Sequence, residues 1–384
     1  MTATDFLAAL VRTESTPGHE EAAIQLAATE MTRLGYDEVS IDRYGNLLGR
    51  IGHEGRPTLV LDGHIDTIPL YAPEQWEYPP YGAEMADGRL YGLGAVDMKA
   101  GVAALIHGAA RVTNRERLHG CAIVSVSIAE EMREGATLAR TFEAQDVDWC
   151  VIAEPTDLQV ATAQRGRARV EVEIWGRSAH AASSAQGINA VSLMMEAASQ
   201  INQLIHPIHP LLGRRDISLI DIHSEPFPSV STIPGYCVAR FDVRFLPGET
   251  RDGILNLLGD LMPAGIRSSV QMARNTFSTY TGDEYDEEEF ALPWEIPRDH
   301  EFTRRALQAA DTQPAVYGFC TNGSYFAGLR NVPTIGYGPG PAAAAHTVDE
   351  YVAIEDLEKA AHGYRRIIED ILGRRHRRTG GLIA

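Results

Sequence analysis

Apolar positions recur at helical spacing through residues 5–35, and Gly35 follows as a stop. Val39–Ile41 and Leu47–Ile51 read as short strands around a Tyr-Gly-Asn turn. Four more apolar runs have strand length, each followed by polar or glycine-rich sequence: Thr58–Leu61, Cys121–Ile128, Trp149–Ala153 and Pro333–Tyr337. A helical stretch, Met98–Arg111, lies between the first two. Strands alternating with helices over this length predict an α/β fold built on a mostly parallel mixed sheet, buried on both faces.

The middle of the chain has another period. Arg167–Trp175 alternates strictly, as a strand with one wet face does. Ile188–Ile205 has helical spacing, Ile217–His223 and Tyr236–Phe245 alternate again, Gly253–Met262 is helical, and Ser269–Thr276 closes the set. That β-α-β-β-α-β order predicts a ferredoxin-like α+β domain over residues 167–283, inserted into a catalytic domain of residues 1–166 plus 284–384. The acidic run Asp283–Glu289 is expected to be the exit linker, a solvated loop.

Composition narrows the function. The chain of 384 residues is 44% hydrophobic and 22% charged, ordinary for a folded protein. Its formal charge of −18 argues against nucleic acid or an anionic membrane as a partner. Nearly all positive charge is arginine, since lysine occurs only at 99 and 359. The basic stretch Arg374–Arg378 follows a helical pattern ending near Leu372 and reads as complementing the helix dipole. The first residues lack the basic start of an export signal, and no apolar run reaches the ~20 residues of a membrane span. Cys121, Cys150, Cys237 and Cys320 lie far apart with no CxxC pair, so free thiols in a reducing, cytoplasmic setting are expected.

Chemistry gathers where the strands end. Thr58–Leu61 leads into Asp62-Gly-His64-Ile-Asp66, Cys121–Ile128 into Ala129-Glu130-Glu131, and Trp149–Ala153 into Glu154-Pro155. Pro333–Tyr337 leads to a Gly-Pro-rich loop and His346, and Asp97 sits in a glycine-rich loop before a helix. Sites of open α/β sheets form outside the carboxyl ends of the strands. Carboxylates gathered there repel one another unless a cation neutralises them. Imidazole with carboxylate oxygen suits zinc, cobalt or manganese. In the His-x-Asp pair, Asp66 fits as the acceptor that fixes the His64 tautomer. Adjacent Glu130 and Glu131 point different ways from an extended chain, so one can hold metal while the other serves as general base. Spacing alone leaves open which does which.

These residues are recognisable. LDGHIDT (61–67), GLGAVDMKAG (92–101), AEE (129–131), AEP (153–155), a GxSAH element (176–180) and AHTVDEYV (345–352) resemble the co-catalytic zinc hydrolases. That family includes acetylornithine deacetylase, succinyl-diaminopimelate desuccinylase, the aminoacylases and glutamate carboxypeptidase. The resemblance implies two divalent ions per chain, zinc first and cobalt or manganese as alternatives. His64, Asp97 and Glu154 would hold one ion, and Asp97, Glu131 and His346 the other. It also implies Glu130 as the general acid/base acting on a metal-bound water, Asp66 orienting His64, and a peptide after Asp97 that is often cis.

The inserted domain becomes, by the same resemblance, a lid and dimerisation domain. His180 would stabilise the oxyanion from across a homodimer, with Asn189 and Arg244 on the substrate. The Thr321-Asn322-Gly323 loop would offer backbone N–H groups to a substrate carboxylate. The implied reaction is cleavage of an amide C–N bond in a small N-acyl amino acid or dipeptide-like substrate. Deformylation, decarbamoylation and hydrolytic deamination would use the same metal pair. A binding protein on this fold would have lost a ligand or Glu130, and none is lost. A purely structural dimer would bind no divalent metal. The sequence departs from the family pattern at Leu93, in the Ala-Ala-Ser-Ser-Ala run after His180, and at Ala342–Ala345, which bears on substrate identity.

Overall fold

The structure is a computed structural model and describes residues 1–373; the basic stretch Arg374–Arg378 lies outside them. Its main sheet carries nine strands. Thr58–His64 runs parallel to Cys121–Ser127 on one side and to Trp149–Ile152 on the other, and Thr334–Gly336 adds to Trp149–Ile152 in parallel. Antiparallel strands flank this centre: Leu47–Gly52 and Glu38–Ile41 at one side, Val160–Gln164 and Trp294–Glu295 at the other. Every residue of Thr58–His64 is buried, as expected for a strand with helices over both faces. The fold is the α/β mixed sheet that the apolar runs predict.

Helices close on the sheet through small residues. Ala100–Ala110 is buried throughout except at its last residue. A Cβ at Gly101 would lie 2.3 Å from the carbonyl oxygen of Ala153, and one at Gly108 2.6 Å from that of Ala361. Two glycines therefore let this helix touch the carboxyl end of the central strand Trp149–Ile152 and the long helix Ile354–Leu372. The single helical region expected at residues 5–35 is two helices, Ala3–Arg12 and Glu21–Arg33. The break contains Pro17 and Gly18, the latter at φ +84°. Thr2 and Asp5 cap the first helix reciprocally.

A second sheet has its own core. Gly166–Trp175 buries Ala168, Val170, Val172 and Ile174 on one face, the alternation read from sequence. Its neighbours are Tyr236–Phe245 and Arg267–Met272, and Asp216–Glu225 lies at the outer edge, all antiparallel. Helices Ala190–Asn202 and Arg251–Gly259 pack on it through Met194, Ala197, Ile201, Ile254 and Leu258. The chain order is β-α-β-β-α-β.

The exit from this unit differs from expectation. The run expected at Ser269–Thr276 is broken at Ala273 into Arg267–Met272 and Arg274–Ser278. Glu284–Glu288 is no loop but a strand paired with Arg274–Ser278. Arginines explain why acids are tolerated there: Arg251 holds Glu288 at 2.6 Å, Arg274 holds Asp286 at 2.8 Å, and buried Glu289 takes Arg169 at 2.7 Å. Phe290–Ala291 then still pairs with Gly166–Trp175, past the expected exit.

Candidate metal centre and active site

Seven of the expected side chains converge at the carboxyl ends of the central strands. His64 ends its strand with its ring buried. His64 Nε2 lies 3.2 Å from Asp97 Oδ1, 3.4 Å from Glu154 Oε1 and 4.0 Å from Glu130 Oε2. His346, half exposed at the rim, places Nε2 3.3 Å from Asp97 Oδ2 and 3.0 Å from Glu131 Oε1. Asp97 thus sends one oxygen toward each histidine. His64 Nδ1 meets the main-chain oxygen of Asp66 at 3.0 Å and Asp66 Oδ1 at 3.6 Å. Asp66 Oδ2 accepts from the Glu131 N–H at 3.0 Å, joining the two loops.

Left-handed backbone presents two of these loops. Ala129, before the glutamate pair, has φ +54°, and His346 has φ +55°. The Asp97–Met98 peptide is cis. The Ala129 N–H is held at 3.2 Å by Glu20, a fully buried carboxylate for which the sequence gives no periodic or motif signal. The Gly94–Asp97 turn is held by Glu350, which accepts from the N–H groups of Gly94, Val96 and Asp97. Glu350 lies within the AHTVDEYV motif, yet carries no assignment from its residue type alone.

The charge of the cluster calls for cations. Asp66, Asp97, Glu130, Glu131 and Glu154 face two imidazoles, so even with both rings protonated the balance is 2 − 5 = −3. Burial pushes Glu154 up to about 8, helped by Asp97, and drives Glu130 well above the usual carboxylate range, helped by Glu154, Glu134 and Glu131. Burial also raises Glu131. It would raise Asp97 too, but His64 and His346 bring that carboxyl below its ordinary value. The Glu131 hydrogen bond lifts His346 to about 9.

Asp97 Oδ1, Asp66 Oδ1, Glu130 Oε1 and Glu154 Oε2 are buried without a hydrogen-bond partner. The side chains therefore aim at common points more than at one another. Ligand atoms of His64, Asp97 and Glu131 lie within 4.8 Å of one another, as do those of His64, Glu130 and Glu154. Nitrogen and oxygen donors so disposed fit divalent metal ions.

The remaining expected residues are placed elsewhere or have other partners. His180 is exposed, and its Nδ1 accepts from the Ala182 N–H at 3.1 Å; it does not join the His64 cluster. Asn189 caps the helix Ala190–Asn202, accepting from the Val191 N–H at 3.0 Å. Arg244 is half-buried and paired with Asp242 at 2.6 Å.

Thr321 and Asn322 are buried and bonded internally. Thr321 donates to Gln164 at 2.6 Å, and Asn322 bridges Asp62, Ser127 and the Gly135 N–H. The Gly323 N–H, expected to face a substrate carboxylate, is already taken at 3.0 Å by the Thr321 hydroxyl. A side chain at Gly323 would meet Trp294 Nε1 at 2.5 Å, so the glycine serves packing.

Comparison with known proteins supplies the family. The model of peptidase family M20/M25/M40 matches residues 60–370. Over 379 residues the chain is 29% identical to the uncharacterized protein YgeY of Escherichia coli, covering 95% of this chain and 93% of that protein. It is 28% identical over 344 residues to an acetylornithine deacetylase of Vibrio parahaemolyticus, with 87% of each chain covered. The fold superposes on the M20 family metallo-carboxypeptidase Sso-CP2 of Sulfolobus solfataricus with a TM-score of 0.75 at 14% identity, over 96% and 98% of the two chains. The chain belongs to peptidase family M20/M25/M40 and is a metal-dependent hydrolase of C–N bonds.

Proposed function

We propose that this hydrolase cleaves the amide bond of a small N-acyl amino acid or dipeptide-like substrate on two divalent ions, zinc by preference. The observation that carries the reading is Asp97, one oxygen directed at each histidine. His64, Asp97 and Glu154 would hold one ion and Asp97, Glu131 and His346 the other. Bound there, such ions supply Lewis acidity, lowering the pKa of water and polarising the scissile carbonyl.

Glu130 does the proton work. Its carboxylate is buried, Oε1 is unpartnered, and surrounding acids raise its proton affinity. It takes a proton from the attacking water and passes it to the departing nitrogen. Asp66 orients His64 through the Nδ1 side of the ring. Arg244, held ready by Asp242, takes a substrate carboxylate, and Asn189 completes the substrate side.

His180 reaches the oxyanion of a partner subunit in a homodimer. The dimer reading is supported by the unpaired outer edge of Asp216–Glu225, where Leu219, Ile220 and Ile222 are 40–50% exposed. An unprotected apolar edge strand is a template for another chain. The enzyme works in a reducing, cytoplasmic setting, in keeping with its four buried free cysteines. No described helix is long and apolar enough to cross a membrane.

The test is metal analysis with a panel of N-acetyl, N-succinyl and N-formyl amino acids and dipeptides, on the wild type and Glu130→Gln. The expected result is about two metals per chain in both proteins, with turnover lower in the variant by about 10²–10⁴-fold. Near-wild-type turnover in metal-loaded Glu130→Gln would sink the assignment.

A further inference from the structure

We infer that Glu350 is a positioning residue, whose carboxylate clamps the main-chain turn carrying Asp97 and thereby sets how tightly the centre takes up metal. Glu350 is buried at 1% exposure. Its Oε1 accepts from the N–H groups of Val96 at 2.8 Å and Asp97 at 2.9 Å, and Oε2 from Gly94 at 3.1 Å. Its main-chain oxygen takes a fourth, from Gly92 at 2.9 Å.

The turn needs such a partner. Gly94 is left-handed at φ +77°, and Asp97 and Met98 have non-helical torsions. A buried N–H without an acceptor costs a large part of a hydrogen bond or more. One carboxylate satisfies three of them, which fixes their relative positions as well as their energy. On the far side of the turn, the buried Lys99 amine donates to the main-chain oxygens of Leu10 at 3.0 Å and Thr13 at 2.9 Å. The turn is therefore pinned at both ends.

Glu350 itself sits in a braced loop. Asp349 Oδ1 accepts from the N–H groups of Glu77 and Tyr78, and Tyr351–Ala353 pairs antiparallel with Arg89–Tyr91. His346 lies on the same loop, its main-chain oxygen held by the Tyr71 hydroxyl at 2.8 Å. A single loop thus presents one histidine and fixes the aspartate opposite it. Asp97 must keep both oxygens aimed at once, so a small displacement of its main chain spoils two contacts together.

This inference rests on the metal-centre reading above, and its test separates the two. Amide exchange of Gly94, Val96 and Asp97 is followed by NMR in the wild type and in Glu350→Gln and Glu350→Ala. Zinc affinity of the folded proteins is measured by competition with a chromophoric chelator. Glutamine keeps the size but turns one acceptor oxygen into an NH2 facing an N–H. The expected result is a zinc dissociation constant raised by about 10–100-fold in Glu350→Gln, the usual effect of removing a ligand's outer partner. The three amides should be protected in the wild type and exchange faster in the variant, with far-UV circular dichroism unchanged.

Unchanged zinc affinity in folded Glu350→Gln and Glu350→Ala would overturn the inference. So would three amides that exchange in the wild type as freely as surface loops, a result that decides the matter if neither variant folds. A wild type that binds no zinc would instead remove the metal-centre reading, while the exchange data still judge the clamp.

Discussion

Replacing Arg167 by methionine should unsettle the seam between the two sheets. Arg167 opens the first strand of the second sheet, and its guanidinium donates to Glu134 at 2.9 Å. The side chains are 17% and 5% exposed, so neither charge is well solvated. Glu134 lies on the loop after Cys121–Ser127, four positions beyond Glu130, and its charge is felt by Glu130. Removing one partner of a buried pair leaves the other charge stranded, at a cost of about 3–5 kcal/mol. An exposed pair would cost no more than about 1 kcal/mol.

The assay is urea unfolding of the zinc-loaded wild type, Arg167→Met, Glu134→Leu and the double variant. An apolar pair of similar volume removes both charges, so the double variant should recover most of the loss. The coupling between the sites should then exceed about 2 kcal/mol, within the range of contacting residues. A single-variant cost below about 1 kcal/mol, or losses that simply add, would refute the reasoning.

Three further outcomes are expected. Stripping metal with EDTA should lower the melting temperature more at pH 8 than at pH 5. Glu154 is raised to about 8 in the folded chain, so the metal-free fold is favoured below pH ~4.5 and loses stability as pH climbs through 8; calorimetry showing an equal gap at both pH values would contradict this. Gly101→Ala should destabilise by about 1–3 kcal/mol, because the new methyl meets the Ala153 carbonyl at 2.3 Å and main chain must shift; a wild-type urea midpoint would deny that contact. Ile222→Lys on the outer edge strand should shift sedimentation from dimer to monomer, and an unchanged sedimentation coefficient would remove that edge from the interface.

The site was more legible in the sequence than the ground it stands on. His64, Asp97, Glu130, Glu131, Glu154 and His346 stand beside strand ends or in a glycine-rich loop, and those ends are marked by abrupt changes from apolar to polar. The strands themselves were visible because continuous burial or strict alternation leaves a period. Val160–Gln164 and Pro314–Tyr317 were not: the first is buried throughout, but its Ala, Thr and Gln make no apolar run, and the second is too short to show a period. Helix Glu301–Ala310 was also missed, although Phe302, Ala306 and Ala310 recur on one buried face at helical spacing.

The acidic strand Glu284–Glu288 was hidden for another reason. Its pairing depends on arginines distant in sequence, and charge alone reads as solvated loop. Glu20 and Glu350 went unassigned because they act through main-chain N–H groups, which no residue type announces. Gly323 misled in the opposite sense: the family resemblance implies an anion cradle, whereas its N–H is taken by Thr321 and Trp294 stands where a side chain would go.

The crossing between the sheets has a mechanical consequence. Val160–Gln164 passes into Gly166–Trp175 with only Arg165 between them, so one extended segment serves both sheets. The returning chain runs alongside it, Phe290 opposite Ala168 and Trp294 opposite Gln164. The joint is wider than these two segments, for Tyr317 lies opposite Gln164 and Phe245 opposite Gly166, with the Phe245 ring stacked on Phe290 and set where a side chain at Gly166 would stand. Such a joint resists sliding and swivelling, because either would break the ladder that holds it. The second sheet is thus carried on a hydrogen-bonded ladder rather than on a bare tether.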